Sequence, residues 1–323
     1  MRRLIKIAAA IAGILMLLTT GLILWEPGSP PESSRAETAR GPIAYDLDGT
    51  GGPVILSVHA GLGGADQGRL FARFLRDDGF RVLSPSRPGY PGTPLSSGRT
   101  IEEQADLLAA LLDTLHIDRV GLFAASAGAP VAYAFAARHP DRIWALVSVA
   151  GVSLPNPDWT PSTPVRRFFI NKIVQKIAYL AGSASLDTVV SGTLDETSLF
   201  TPAEKTRRKD YIIDNPGVRD LFQAMVKTTF PYEERMPGTD NDARQATTLA
   251  LPLRGITTPT LIMHGSADGD VPFRDGENAA ALISGAQHYW MPEEDHLGFW
   301  LGPRAADHQR VAAEFLLAAR PAA

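Results

Sequence analysis

The stretch Gly121-Leu122-Phe123-Ala124-Ala125-Ser126-Ala127-Gly128-Ala129-Pro130 decides the fold. Its first half belongs to an apolar run, Val120 to Ala124, of the continuous type expected of a strand covered on both faces. The run stops at a serine set among small residues, and a helix-forming segment, Val131 to Arg138, follows at once. Strand, tight turn and helix in that order lift one side chain clear of the backbone. So sharp a turn needs small flanking residues. Ser126 is therefore a candidate nucleophile; its plainer role would be a helix N-cap. A serine hydroxyl is a weak nucleophile by itself. The chemistry requires a base, an acid that orients the base, and donors for an oxyanion.

Upstream, Val54 to Val58 reads as another buried strand, ending in His59-Ala60-Gly61-Leu62-Gly63-Gly64. A glycine-rich loop after a strand leaves backbone N–H groups free for a phosphate or an oxyanion. Neither of the common nucleotide-loop patterns fits, so the oxyanion role is favoured. Its donors would be the N–H of Gly61, with Leu62 as the rival, and the N–H of Ala127. Further elements alternate: an early strand near Ile43 to Leu47, a helix from Asp66 to Asp78, a strand from Phe80 to Leu83, and a helix from Ile101 to Leu115. Thr100 and Glu103 form a capping box for that last helix. Ile143 to Val149 is again wholly apolar. Repeated strand–helix alternation predicts an α/β fold, a mostly parallel sheet with helices on both faces.

Downstream the alternation breaks. Residues 152–250 are helical and loop-like, rich in aromatics, with basic clusters such as Arg207-Arg208-Lys209, and read as an inserted helical cap. Strands resume at Thr260 to His264 and His288 to Met291, and a terminal helix is expected from Arg304 to Ala319. The loop after the first of these strands carries Asp268 and Asp270, two candidates for the orienting acid, with Asp268 preferred. The loop after the second carries His296, the candidate base, whose plainer role would be a surface histidine. Nucleophile, acid and base then occur in the order Ser126, Asp268, His296, the order of the nucleophile-elbow hydrolases. His59 and His264 are expected to bond backbone and pin their loops, and Arg87 to brace loops. A histidine base at its free value would make activity fall as pH drops through about 6.5.

These places together resemble the α/β-hydrolase superfamily from about Ile43 to Leu317. Ala124-Ala125-Ser126-Ala127-Gly128 is similar to the elbow, and His59-Ala60-Gly61-Leu62-Gly63 to the oxyanion loop. His264-Gly265 with Asp268, Val271 and Pro272 is similar to the acid loop, and Asp295-His296 to the final histidine loop. Ser86-Arg87-Pro88-Gly89-Tyr90 resembles the capped branch of proline iminopeptidases and related esterases. The departures are Ala124 and Ala60 in place of glycines, Asp295 before the histidine, and Pro85 two residues before Arg87. None removes a reacting group. A serine nucleophile also argues against the dehalogenases and epoxide hydrolases of this superfamily, which use aspartate there.

Composition narrows the rest. With 323 residues, 45% hydrophobic, the chain can bury a sizeable core. A net charge of -4 gives no basic face for nucleic acid. There is no cysteine, hence no disulfide and no thiolate site, and no histidine or acidic cluster suggests a metal. No cofactor is expected. At the N-terminus Arg2, Arg3 and Lys6 precede an apolar run from Ile7 to Trp25, about the ~20 residues that cross a bilayer. This reads as an uncleaved transmembrane signal-anchor with the catalytic body outside the cytoplasm. The alternative is a cleaved signal with its site at Ser34-Arg35-Ala36 and a secreted or periplasmic product.

The expected organisation is thus an anchor at 1–26, a linker at 27–41, a hydrolase core at 42–151 and 251–323, and a cap at 152–250. The expected activity is a serine hydrolase cleaving a carboxylic ester, a small-molecule acyl substrate, through an acyl-enzyme. The alternatives are an aminopeptidase of the proline iminopeptidase type, which would use cap carboxylates such as Glu233, Glu234 or Asp240 for the substrate amine, and a non-catalytic ligand-binding homologue.

Overall fold

The computed structural model describes residues 32–157 and 186–320. The expected anchor at 1–26, the first part of the linker and residues 158–185 of the insertion lie outside the described residues. Among the described residues no helix is long and apolar enough to cross a membrane.

Eight strands form one sheet: β1 Ser34–Thr38, β2 Gly41–Asp48, β3 Val54–Val58, β4 Arg81–Pro85, β5 Val120–Ala125, β6 Ile143–Val149, β7 Thr260–Gly265 and β8 Gln287–Met291, in the order β1-β2-β4-β3-β5-β6-β7-β8. β1 and β2 run antiparallel to their neighbours, and every pairing from β4 to β8 is parallel. The parallel strands β3, β5, β6 and β7 are buried throughout, as their uninterrupted apolar runs require. Alternate side chains serve opposite faces. Val120, Leu122 and Ala124 of β5 join one core, and Phe123 and Ala125 join the other.

The first core is completed by α2 Ile101–Thr114 and α3 Ala129–Arg138. α2 starts at the capping box read from Thr100 and Glu103 and buries Leu107, Leu108, Leu111 and Leu112. The second core takes Phe71 of α1 Ala65–Phe71, Phe299 and Trp300 of α9 Gly298–Leu301, and Leu316 of α10 Ala305–Ala319. α8 Phe273–Leu282 contributes Ala279 to the first core.

The insertion supplies four described helices: α4 Leu186–Thr197, α5 Pro202–Asp214, α6 Pro216–Lys227 and α7 Tyr232–Ala246. Val190, Leu194, Ile212, Phe222 and Met225 from the first three pack into the second core, so cap and sheet share one apolar interior.

Two local expectations are corrected. The helix read from Asp66 to Asp78 is split: α1 ends at Phe71 and a 3-10 turn, Arg73–Arg76, follows. The linker read as 27–41 contains β1, which pairs with β2 from Ser34↔Tyr45 to Thr38↔Gly41. Only Ala36 of this strand is buried, so no apolar alternation marks it. Arg35 and Glu37, paired at 2.9 Å, put charge on the sheet's edge, a common protection against further strand pairing.

Candidate active site

Parallel strands end on one edge of the sheet, and side chains in the loops beyond those ends converge there. Gly61 follows β3, Ser126 follows β5, Asp268 follows β7 and His296 follows β8. β3 and β5 are neighbours with Val58 opposite Ala124, which sets the glycine loop beside the serine turn.

Ser126 opens a single 3-10 turn, Ser126–Gly128, between β5 and α3, with φ of 51°. A side-chain-bearing residue in that region is strained by ~1–3 kcal/mol. The strain is held by neighbours on both sides. The Val152 N–H donates to the Ser126 carbonyl at 3.2 Å. Gly128 lies so close to β3 that a methyl there would come within 2.6 Å of the Val58 carbonyl oxygen. Ala124, at the place of the elbow pattern's first glycine, is fully buried within β5.

The two oxyanion candidates are adjacent: a Cβ on Gly61 would lie 3.8 Å from that of Ala127. Ala127 sits in the first turn of a helix, where no preceding turn offers its N–H an acceptor. The rival donor, the Leu62 N–H, is directed to Thr239 Oγ1 at 3.3 Å, which favours Gly61. His59 fixes the loop as a neutral imidazole. Its Nδ1–H donates to the Ala60 carbonyl at 2.7 Å, and its Nε2 accepts from the Arg87 N–H at 2.9 Å. Burial, and then the charge of Arg87, hold this ring's pKa well below the ordinary histidine value.

The two aspartates of the acid loop are sorted by geometry. His296 Nδ1–H donates to Asp268 Oδ2 at 2.8 Å. Asp268 Oδ1 accepts from the N–H groups of Asp270 and Val271, both at 2.9 Å. Burial works against the Asp268 carboxylate, but His296 and His264 outweigh it and bring its pKa to about 2. Burial likewise works against the His296 imidazolium. Asp268 first and then Asp270 overcome it and push the pKa up to about 9. Asp270 does not hold Nδ1; its Oδ2 lies 3.5 Å from the opposite nitrogen, Nε2. Among the described residues no hydrogen bond joins Ser126 to His296. Catalytic hydrogen bonds are often long without substrate and tighten when it binds. His264 pins the acid loop through Nε2–H to the Val271 carbonyl at 3.0 Å.

A family model for the alpha/beta hydrolase fold matches residues 53–303. The chain belongs to the α/β-hydrolase family. Similar to this α/β-hydrolase is an alpha/beta hydrolase fold protein from Nakamurella multipartita, 34% identical, with a TM-score of 0.83 over 88% of this chain and 99% of that one. An uncharacterized hydrolase, YcgS, of Bacillus subtilis is 25% identical over 296 residues, 85% of this chain and 95% of its own length. A 2-hydroxy-6-oxo-2,4-heptadienoate hydrolase of Pseudomonas putida is 27% identical over 238 residues, 68% of this chain and 75% of its own. The chain is an α/β-fold hydrolase enzyme.

Among the described residues three buried arginines join the α/β-hydrolase core to the inserted helices, and sequence reading missed two of them, Arg208 and Arg235. Arg208 of α5 reaches Glu294 at 2.6 Å and Asp295 at 3.0 Å, the two residues before His296. Arg235 of α7, with 0% of its side chain exposed, reaches Asp66 of α1 at 2.8 Å and, at 2.7 Å, the carbonyl of Gly63 in the glycine-rich loop after β3. Arg87 of the core holds Asp242 of α7 through Nη1 and Nη2, both at 2.7 Å, and Tyr90 donates to the same carboxylate at 2.6 Å. Arg87, expected to brace loops, here joins its own loop to α7 of the insertion. The C-terminal end of α4 is built into the acid and base loops. The Thr197 carbonyl accepts from the N–H groups of Gly269 and His296, both at 3.1 Å.

A small cleft, partly open to solvent, lies against Ala127 between α3 and α7. Ile101, Val131, Val152 and Leu249 give it apolar walls, with Asp242 and Gln245 at the cap side. Glu233, Glu234 and Asp240 do not line it. The cap carboxylate that does, Asp242, is taken by Arg87 and Tyr90. Among the described residues no group of histidines and carboxylates is placed to hold a metal ion.

Proposed function

We propose that the protein is a serine hydrolase that cleaves carboxylic esters through an acyl-enzyme. The observation that carries this reading is the 2.8 Å contact of His296 Nδ1 with Asp268, on the strand edge where Ser126 sits in a strained turn beside Gly61. In this reaction Ser126 Oγ attacks the ester carbonyl carbon while its proton passes to His296 Nε2. Asp268 fixes the tautomer that leaves Nε2 as the acceptor and stabilises the imidazolium. The carbonyl oxygen, now an anion, is met by the N–H groups of Gly61 and Ala127. His296 gives its proton to the departing alcohol. Water then attacks the acyl-serine, again with His296 as base, and the carboxylic acid leaves. The apolar cleft against Ala127 suits an uncharged acyl or alcohol portion.

Ser126→Ala should abolish hydrolysis of p-nitrophenyl butyrate while the circular dichroism of the protein stays unchanged. A fluorophosphonate should label the wild type at Ser126 and leave the variant unlabelled. Retained turnover in the variant would sink this assignment. A wild-type protein that resists the probe would favour the non-catalytic alternative.

A second reading follows from the relative in Pseudomonas putida, whose name describes an oxo-dienoate substrate. Turnover of such a compound, in preference to simple esters, would move the assignment to that reaction. The aminopeptidase reading gains nothing from the cleft, where the lining cap carboxylate already has cationic and phenolic partners.

The apolar run from Ile7 to Trp25 behind Arg2, Arg3 and Lys6 supports a membrane-anchored protein with its catalytic body outside the cytoplasm. Full-length protein should then stay with the membrane fraction after alkaline extraction, and recovery in the supernatant would refute the anchor.

A further inference from the structure

The base carries two carboxylates, one on each ring nitrogen. Asp268 lies 2.8 Å from Nδ1 of His296, and Asp270 lies 3.5 Å from Nε2. A single short turn fixes the pair, because the Asp270 N–H donates to Asp268 Oδ1 at 2.9 Å. Among the described residues the remaining charged or titratable neighbours come from three other places. Glu294 and Asp295 precede the histidine on its own loop, and Arg208 of the cap reaches both. His264, at the end of β7, lies 3.3 Å from Asp268 on its other side. Among the described residues Asp270 alone of the carboxylates faces the nitrogen that must receive the serine proton.

A neutral imidazole hydrogen-bonded to Asp268 through Nδ1–H presents a lone pair at Nε2. A carboxylate opposite that lone pair is unfavourable, whereas one opposite an imidazolium N–H is favourable. Asp270 therefore stabilises the protonated ring, the form that cannot act as base. Its side chain also keeps 38% of its surface exposed and lines a second cleft with Arg274 and Val152. Val152 is a wall of the cleft against Ala127 as well, so the Asp270 cleft adjoins the one assigned to substrate. A substrate carboxylate lodged there would meet a like charge, and such juxtaposition discriminates between ligands. Arg274 pulls the other way. It is exposed and has no ion pair among the described residues, but Asp270 is the group in contact with the reacting nitrogen.

We propose that Asp270 is a positioning and specificity-determining residue: it holds the protonated ring of His296 in the resting enzyme and selects acyl substrates that are neutral or cationic over those bearing a carboxylate beside the acid loop. The selectivity rests on the serine-hydrolase reading given above; the hold on His296 does not.

The test compares p-nitrophenyl butyrate with mono-p-nitrophenyl succinate, for wild type and Asp270→Asn, from about pH 5 to about pH 9.5. The His296 imidazole is titrated in parallel by NMR. The wild type should prefer the butyrate by about tenfold or more in kcat/KM, and Asp270→Asn should bring the two esters within about threefold by raising the succinate rate. The acid limb of the rate profile and the imidazole titration should both move down by about one pH unit or more. An unchanged ester ratio and an unmoved titration would overturn the proposal. So would a wild-type preference for the succinate, which would give the cleft to Arg274. If the wild type hydrolyses neither ester and takes no fluorophosphonate, the serine-hydrolase reading and the selectivity fall together. The NMR titration then still decides the contact of Asp270 with His296.

Discussion

Arg208 Nη1 lies 3.0 Å from the Asp295 carboxylate, and so a cap helix grips the residue next to His296. The same guanidinium reaches Glu294 at 2.6 Å, and all three side chains are almost wholly buried. Burial alone would keep Asp295 protonated, and its pKa stands raised to about 6 even with Arg208 beside it. Removing the cation would leave Asp295 buried without a counter-charge, and Glu294 with the longer contacts of Arg304 at 3.8 Å and His308 at 3.5 Å. Arg208→Met should therefore cost about 3–5 kcal/mol, because an uncompensated buried charge remains while its partner is gone. Adding Glu294→Gln and Asp295→Asn should return much of that loss, since neutralising a whole buried ionic group is often nearly neutral. Urea unfolding of the single and triple variants measures both. Equal instability in the two would mean that Arg208 acts through packing and not through charge.

What the sequence made legible follows from what each element needs locally. β3, β5, β6 and β7 lie inside a sheet covered on both faces, so continuous apolar runs mark them. The Thr100–Glu103 capping box is a contact between residues three apart, and it was readable for that reason. Ser126, Asp268 and His296 stand out because each follows a strand and their order fits one chemistry. The unread features depend on distant partners. Arg208 looked like one member of a basic cluster, since its carboxylates lie 86 and 87 residues away. Arg235 meets Asp66 across 169 residues. β1 exists because β2 offers it a partner, and its own residues carry no pattern beyond Ala36. Asp270 was visible as a rival acid. That it faces Nε2 while Asp268 holds Nδ1 is set by the turn between them, which residue types do not reveal.

Gly128 is the elbow glycine with no room to change. A methyl there would lie 2.5 Å from the His59 carbonyl oxygen and 2.6 Å from that of Val58, both backbone atoms that cannot swing away. The serine turn would have to rise off β3, separating the Ala127 N–H from Gly61. Gly128→Ala should destabilise the fold by about 1–3 kcal/mol, the usual range for overpacking. Turnover should fall about 10²-fold, the effect of a displacement near 1 Å at a reacting centre. Ala124→Gly, at the place where the elbow pattern already expects glycine, should leave turnover within about threefold of wild type. Thermal melts and steady-state ester hydrolysis of the two variants check this contrast. Normal turnover in Gly128→Ala would show that the turn does not govern the site.

The rate profile should betray the carboxylates around His296. A free imidazole would lose activity below about pH 6.5. Here burial opposes the charge on the ring, but Asp268 and Asp270 raise its pKa to about 9. The base form is then scarce at neutral pH and grows as pH rises. The acid limb of kcat/KM for p-nitrophenyl butyrate should accordingly have its midpoint above about 6.5, displaced toward the alkaline side. A limb centred at or below that value would mean that the carboxylates do not control the ring in the working enzyme.

The same contact predicts how stability varies with pH. The His296 pKa is higher in the folded protein, about 9, than its unfolded value of about 6.5, so folding takes up a proton between those limits. Its contribution to stability is complete below about pH 6.5 and is lost as pH rises through about 9. The pKa of Asp295, raised to about 6, acts between that value and the ordinary carboxylate range, which keeps the alkaline window clear of it. That of His59 is depressed and acts only below the ordinary histidine value. Wild-type stability should therefore decline between about pH 6.5 and about pH 9 in urea titrations, and His296→Asn should flatten that decline. The variant removes the titrating ring and keeps a polar side chain of similar reach. An identical slope in both proteins would show that the ring gains no proton on folding, and with it that Asp268 and Asp270 hold no imidazolium between them.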